Sequence, residues 1–273
     1  IVILEHLAAT ANPPRTFSVQ DLIPHWMNRL ENGWGSWICT MTRETYSQVK
    51  HGTKVENIGG ISNAMAIRHV AAHGYYENED ELVDVARKAM FTHKDFSALG
   101  GGEFFARVTH RVLRGVIPRD AIEEVAILMG GFFEDKTKQA IAKYEEEANP
   151  DSQLSKEKFS DDLALTSMAR LWDIGRSEPI KVGKASPTEG TLPGAIYFIL
   201  KYANKEDGLK KALQANAMVG GDNASRSIDI GMVLGAYFGV DAIPKEWKET
   251  LTQWDYCEDL LNKLPLIKKL QEA

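Results

Sequence analysis

The sequence predicts an all-α fold, a multi-helix globule, on three observations. Apolar residues recur every three to four positions along most of the chain, no stretch alternates apolar and polar residues between hairpin turns, and short Gly, Pro or Asn breaks separate the periodic segments. Many antiparallel helices around one core satisfy that pattern. At 273 residues with 44% hydrophobic content, the chain can bury that core without staples, so residues 1–273 are expected to form a single domain.

The elements follow in order. The chain opens at Ile1-Val2-Ile3-Leu4, already inside an amphipathic helix and without an initiating methionine, which points to a segment upstream. Trp26, Trp34 and Trp37 mark an aromatic segment that either packs on the helical body or offers a partner-binding face. Over residues 78–92, Leu82, Val85, Ala86, Ala89 and Met90 share one face, with Asn78 and Glu81 placed as a capping box. A flexible Gly100-Gly101-Gly102 precedes a helix over 103–114. Pro118 starts the next, on which Ile122, Val125, Ala126 and Met129 are aligned. Further helices are expected over 135–148, 156–174, 191–203, 225–238 and 245–252, and around Leu209, Ala212, Leu213 and Ala217. Residues 149–155 and 178–189 read as loops, and no solenoid-period repeat is present.

Composition excludes several classes of function. The net charge is −6 with both signs interspersed, so no basic field gathers nucleic acid and no polybasic run holds an anionic membrane. Apolar stretches are broken by charge or glycine well before the roughly 20 residues a spanning helix needs. The two cysteines, Cys39 and Cys257, lie far apart and outside any metal spacing, as expected of free thiols in a soluble intracellular protein of the cytoplasm or an organelle interior.

The segment richest in chemistry is Gly220-Gly221-Asp222-Asn223-Ala224-Ser225, a glycine turn delivering a carboxylate and a hydroxyl to the first turn of a helix that carries Gly231 and Gly235. Two readings stay open. The oxygens suit a hard cation such as magnesium and the helix start suits a phosphate, or Asp222 is an N-cap and the glycines admit a neighbouring helix. Gly59-Gly60-Ile61-Ser62-Asn63 presents the same choice, between donors facing a ribose or diphosphate and a cap on an apolar helical run. His93, read at the C-terminus of the 78–92 helix, is either dipole-stabilised or a ligand contact, whereas His69, His73 and His110 read as surface or core residues. Adjacent acids such as Asp161-Asp162 and Glu145-Glu146-Glu147 point in different directions and read as solvated surface.

Taken in order, these segments resemble the ADP-ribosylglycohydrolase family, and within it the branch containing the J-crystallins. The resemblance runs through residues 59–68, Thr92-His93, Glu103-Phe104-Phe105-Ala106 on to Gly115, Leu192-Pro193-Gly194-Ala195-Ile196-Tyr197, residues 220–239, and Asp241-Ala242-Ile243-Pro244 with Trp247. It implies a compact all-α fold whose cleft holds two magnesium ions and hydrolyses N- or O-glycosidic bonds of ADP-ribosyl groups. On this resemblance Asp222 and Ser225 would be metal-side residues, Ser62, Asn63, His93, Gly220 and Gly221 would serve the ADP-ribose, and the partners would be an ADP-ribose-type ligand or a protein. Ala224 stands where the family places a second aspartate, and the family's threonine-aspartate-aspartate motif would lie upstream of Ile1. The expectation is therefore a degenerate site that binds Mg2+ weakly or not at all, in a non-catalytic or structural protein. The alternative is a magnesium-dependent hydrolase completed by an upstream segment.

Overall fold

The computed structural model describes residues 1–33, 37–148, 186–219 and 221–272, all of it helix, turn and loop apart from isolated bridge residues. The all-α expectation holds across these residues. They fall into two compact units, residues Ile1–Ala106 with Glu246–Ala273, and Arg107–Lys245.

In the first unit, α1 (Val2–Ala9) buries Ile3, Leu4 and Leu7, and packs on α2 (Val19–Asn32) and on α12 (Trp254–Leu261). Ser18 caps α2 by accepting from Asp21 N, and Leu22, Ile23 and Trp26 form its buried stripe. Trp26 meets Phe91 edge-to-face at 5.1 Å, which settles that tryptophan as core. Trp37, by contrast, is 77% exposed, and Trp34 lies outside the described residues. Glu5 ties the ends of this unit together by accepting from His25 Nε2 at 2.7 Å and from Tyr256 Oη at 2.8 Å. Helix α3 (Thr40–Lys50) is mostly polar and buries only Thr45 completely. Helix α4 (Glu79–Ala89) starts as expected, with Asn78 Oδ1 accepting from the amides of Asp80 and Glu81. It stops at Ala89, however, so Thr92 and His93 lie in a turn beyond its end.

Helix α5 (Phe96–Val112) begins in the first unit and ends in the second. The three glycines expected to be flexible are inside it. A Cβ on Gly102 would stand 2.5 Å from Met90 Sδ, so a larger residue there would require the Met90 side chain to shift.

The core of the second unit comprises α6 (Pro118–Met129), α7 (Gly131–Ala148), α8 (Thr188–Tyr202), α9 (Gly208–Met218) and α10 (Asn223–Phe238), with α8 touching all the others. Residues Leu192 to Leu200 of α8 are buried without interruption, as a central helix requires. Pro118 sits in the first turn of α6, and Gly130 at φ +61° ends it. Glu145 pairs with Arg119 and Glu146 with Lys143, which makes those acids surface ion pairs. The helix expected over 156–174, the loop over 149–155, most of the loop over 178–189, and Asp161-Asp162 lie outside the described residues. The short helices α11 (Lys245–Thr250), α12 and α13 (Pro265–Gln271) complete the chain. Among the described residues no helix is long and apolar enough to cross a membrane. Cys39 and Cys257 are free thiols.

Candidate functional site

Two segments carry the candidate residues, one in each unit. In the first, residues 59–68 run as an irregular loop with isolated bridge residues instead of the helix expected after Asn63. The reason is a bridge to the segment after α4: Gly60 N donates to Thr92 O at 3.1 Å and Lys94 N to Gly60 O at 2.8 Å. Gly59 makes this approach feasible, at φ +96° with room for no Cβ, since Phe91 O would lie 2.3 Å from one. Gln48 Oε1 accepts from Gly59 N at 2.7 Å and secures the entry to the loop. Beyond it, Ile61 is 90% exposed, Ser62 and Asn63 are half-buried, and Met65 and Ile67 anchor the segment in the core. Ser62 Oγ accepts from Ala64 N at 3.3 Å, a local turn contact rather than a helix cap.

His93 is buried at the bridge, where Thr92 Oγ1 contacts its Nδ1 at 2.8 Å and Arg68 Nη1 donates to the same Oγ1 at 2.5 Å. Burial, helped by the Arg68 charge, holds the His93 imidazole down to about 4. His93 is thus a neutral group in a turn, not the dipole-stabilised helix end read from the sequence. Arg68 is itself pulled below the usual guanidinium range by burial, and the Cys39 thiol opposes that shift. His69, fully buried, is lowered to about 3 by desolvation.

In the second unit, Gly221 turns the chain at φ +69° into α10. Asp222 is the N-cap of that helix, its Oδ1 accepting from Ser225 N at 3.1 Å. Gly220 lies outside the described residues. Among the described residues Gly235 has nothing within 4 Å of where a Cβ would stand and Gly231 meets only Leu213 at 4.0 Å, so no close helix packing at these glycines is seen among them.

A buried polar web fixes the turn from below. Asn216 Nδ2 donates to Asn223 O and to Ser227 Oγ, both at 2.8 Å, while Asn216 Oδ1 accepts from Arg226 Nε at 2.8 Å. Asp229, one turn along α10, is fully buried, and neither of its oxygens has a hydrogen-bond partner among the described residues. Burial raises its carboxyl well above the usual range against the opposing pull of Arg226, and Asp222 adds to the rise. Burial likewise lowers Arg226 to about 10, opposed by Asp222 and Asp229. Sequence reasoning passed over Asn216, Arg226 and Asp229. An Asn in the last turn of α9 and an Arg-x-x-Asp pair in the first turns of α10 were the available signal.

The side-chain oxygens this turn carries are those of the Asp222 carboxylate, one of them used as a cap, the Asn223 amide and the Ser225 hydroxyl, with a methyl at Ala224. Among the described residues no three His, Cys, Asp or Glu side chains are grouped to hold one ion. A magnesium ion demands six oxygens in near-octahedral array.

A family model described as ADP-ribosylglycohydrolase matches residues 1–273. ADP-ribosylhydrolase ARH3 of Danio rerio is 24% identical over 220 residues, covering 76% of this chain and 57% of the relative. The chain therefore spans little more than half the length of that relative. A solved structure described as an ADP-ribosylglycohydrolase-related protein complex superposes with a TM-score of 0.61 at 21% identity, covering 98% of this chain and 78% of the other. At that identity the likeness shows the fold.

Proposed function

The chain belongs to the ADP-ribosylglycohydrolase family, and from that premise we propose that it is an ADP-ribose-binding member with a degenerate magnesium site, non-catalytic or structural in the form given, on a branch resembling the J-crystallins. One match spans both units, which supports reading residues 1–273 as one family domain.

The observation that carries the proposal is the state of the Gly221–Ser225 turn. Asp222 spends a carboxylate oxygen on the Ser225 amide, and the Ala224 side chain supplies no oxygen. A cation held by one shared carboxylate and one hydroxyl keeps most of its water and is weakly bound. Ser62, Asn63 and His93 would serve the ADP-ribose, as would Gly220 and Gly221. Neutral His93 suits a hydrogen bond to a ribose or phosphate oxygen.

A second reading, an active magnesium-dependent hydrolase of ADP-ribosyl bonds, draws on the retention of Asp222 and Ser225 and on the name of the Danio rerio relative. Calorimetry with magnesium and with ADP-ribose, alongside release assays on N- and O-linked ADP-ribosyl substrates using the full-length protein, separates the two. The proposal expects ADP-ribose binding, no saturable magnesium binding and no release. Stoichiometric magnesium binding with turnover would replace it by the hydrolase reading.

A further inference from the structure

Thr92 Oγ1 sits between two nitrogens, Arg68 Nη1 at 2.5 Å and His93 Nδ1 at 2.8 Å. A guanidinium carries only donors, so the Thr92 oxygen accepts from Arg68. Thr92 is fully buried, and no other acceptor meets its hydroxyl among the described residues. A buried hydroxyl that donated to nothing would forfeit its hydration without compensation, so the hydroxyl proton points at His93. Nδ1 is then the acceptor, and the single proton of the neutral imidazole lies on Nε2. That nitrogen has no hydrogen-bond partner among the described residues, yet it is not one of the sealed polar atoms.

We propose that Arg68 and Thr92 are positioning residues that lock His93 in its neutral Nε2–H tautomer, so that it presents a fixed donor to an acceptor oxygen of the ligand. The backbone carbonyl of Thr92 also accepts from Gly60 N, so one residue sets both the tautomer and the register of the loop carrying Ser62 and Asn63. With a proton rather than a lone pair facing outward, His93 selects an oxygen and turns away a metal cation. The ligand half of this inference rests on the ADP-ribose reading above. The tautomer half does not.

The test is long-range 1H–15N correlation on the full chain with labelled histidines at pH 7, the His93 signals being assigned by their loss in His93→Gln. Native protein and Thr92→Ser should each show a pyridine-like Nδ1 and a protonated Nε2. Thr92→Val, which removes the hydroxyl at nearly constant shape, should lose the single tautomer and bind ADP-ribose about tenfold more weakly by calorimetry. A native His93 protonated on Nδ1, or a Thr92→Val spectrum unchanged from native, overturns the lock. If the spectra behave as expected but none of the three proteins binds ADP-ribose, the lock stands and the ADP-ribose reading is what fails.

Discussion

Arg226, fully buried on α10, donates its Nε hydrogen to Asn216 Oδ1 on α9 at 2.8 Å. The amide of Asn216 reaches on to Asn223 O and Ser227 Oγ, so one side chain both receives a buried cation and holds the backbone beside Asp222. Asn216→Ala should lower stability by about 2–4 kcal/mol, since it takes one acceptor from a buried charged donor and removes the amide hydrogens given to Asn223 O and Ser227 Oγ. Urea denaturation reads this directly; a loss below about 0.5 kcal/mol would show that water replaces the web.

Asp222→Ala should cost about 1 kcal/mol as a lost N-cap. If the side chain is only a cap, the loss is the same in EDTA and in millimolar magnesium. A loss several times larger in magnesium than in EDTA would mean that the carboxylate also holds a metal.

The glycines give opposite expectations. Gly59→Ala forces a Cβ against Phe91 O at a φ of +96° and should destabilise by roughly 2–4 kcal/mol while releasing the loop from Thr92. Gly235→Ala adds a methyl within a helix, into space open among the described residues, and should stabilise by about 0.5–1 kcal/mol. Thermal midpoints of the two variants should move in opposite directions.

His69 is buried neutral with a folded value of about 3, against 6.5 for the free side chain. Below about pH 6.5 the unfolded chain takes up a proton that the folded chain refuses. Stability present above that pH is therefore lost toward pH 3, at about 1.4 kcal/mol per pH unit for this histidine. Neither ring nitrogen of His69 has a hydrogen-bond partner among the described residues, so His69→Phe forfeits none. The variant should hold its stability within about 1.5 kcal/mol at pH 7 and show a correspondingly shallower acid slope in urea titrations between pH 6 and 4.

Helices with a clear apolar face were legible in the chain. Asn78, Pro118 and the Leu82-Val85-Ala86-Ala89 stripe located α4 and α6 because caps and periodicity act within a few residues. Helices α2 and α3 were not read. Pro24 interrupts the α2 pattern, and α3 buries so little that its sequence resembles a polar loop. At the candidate sites, the residue types of Ser62, Asn63, His93, Asp222 and Ser225 were visible, but their engagements were not. His93 looked like the end of a helix and is instead the partner of a glycine more than 30 residues away in sequence.

The sequence by itself determined the fold class, the family and the methyl side chain at Ala224, since each depends on residue type or local order alone. Only the tertiary structure decided that Arg68 stands behind Thr92, that Asn216 meets Arg226, and that Asp229 is sealed from water. Those relations set protonation and donor direction, and they arise because burial removes solvent while packing chooses which distant groups must satisfy one another.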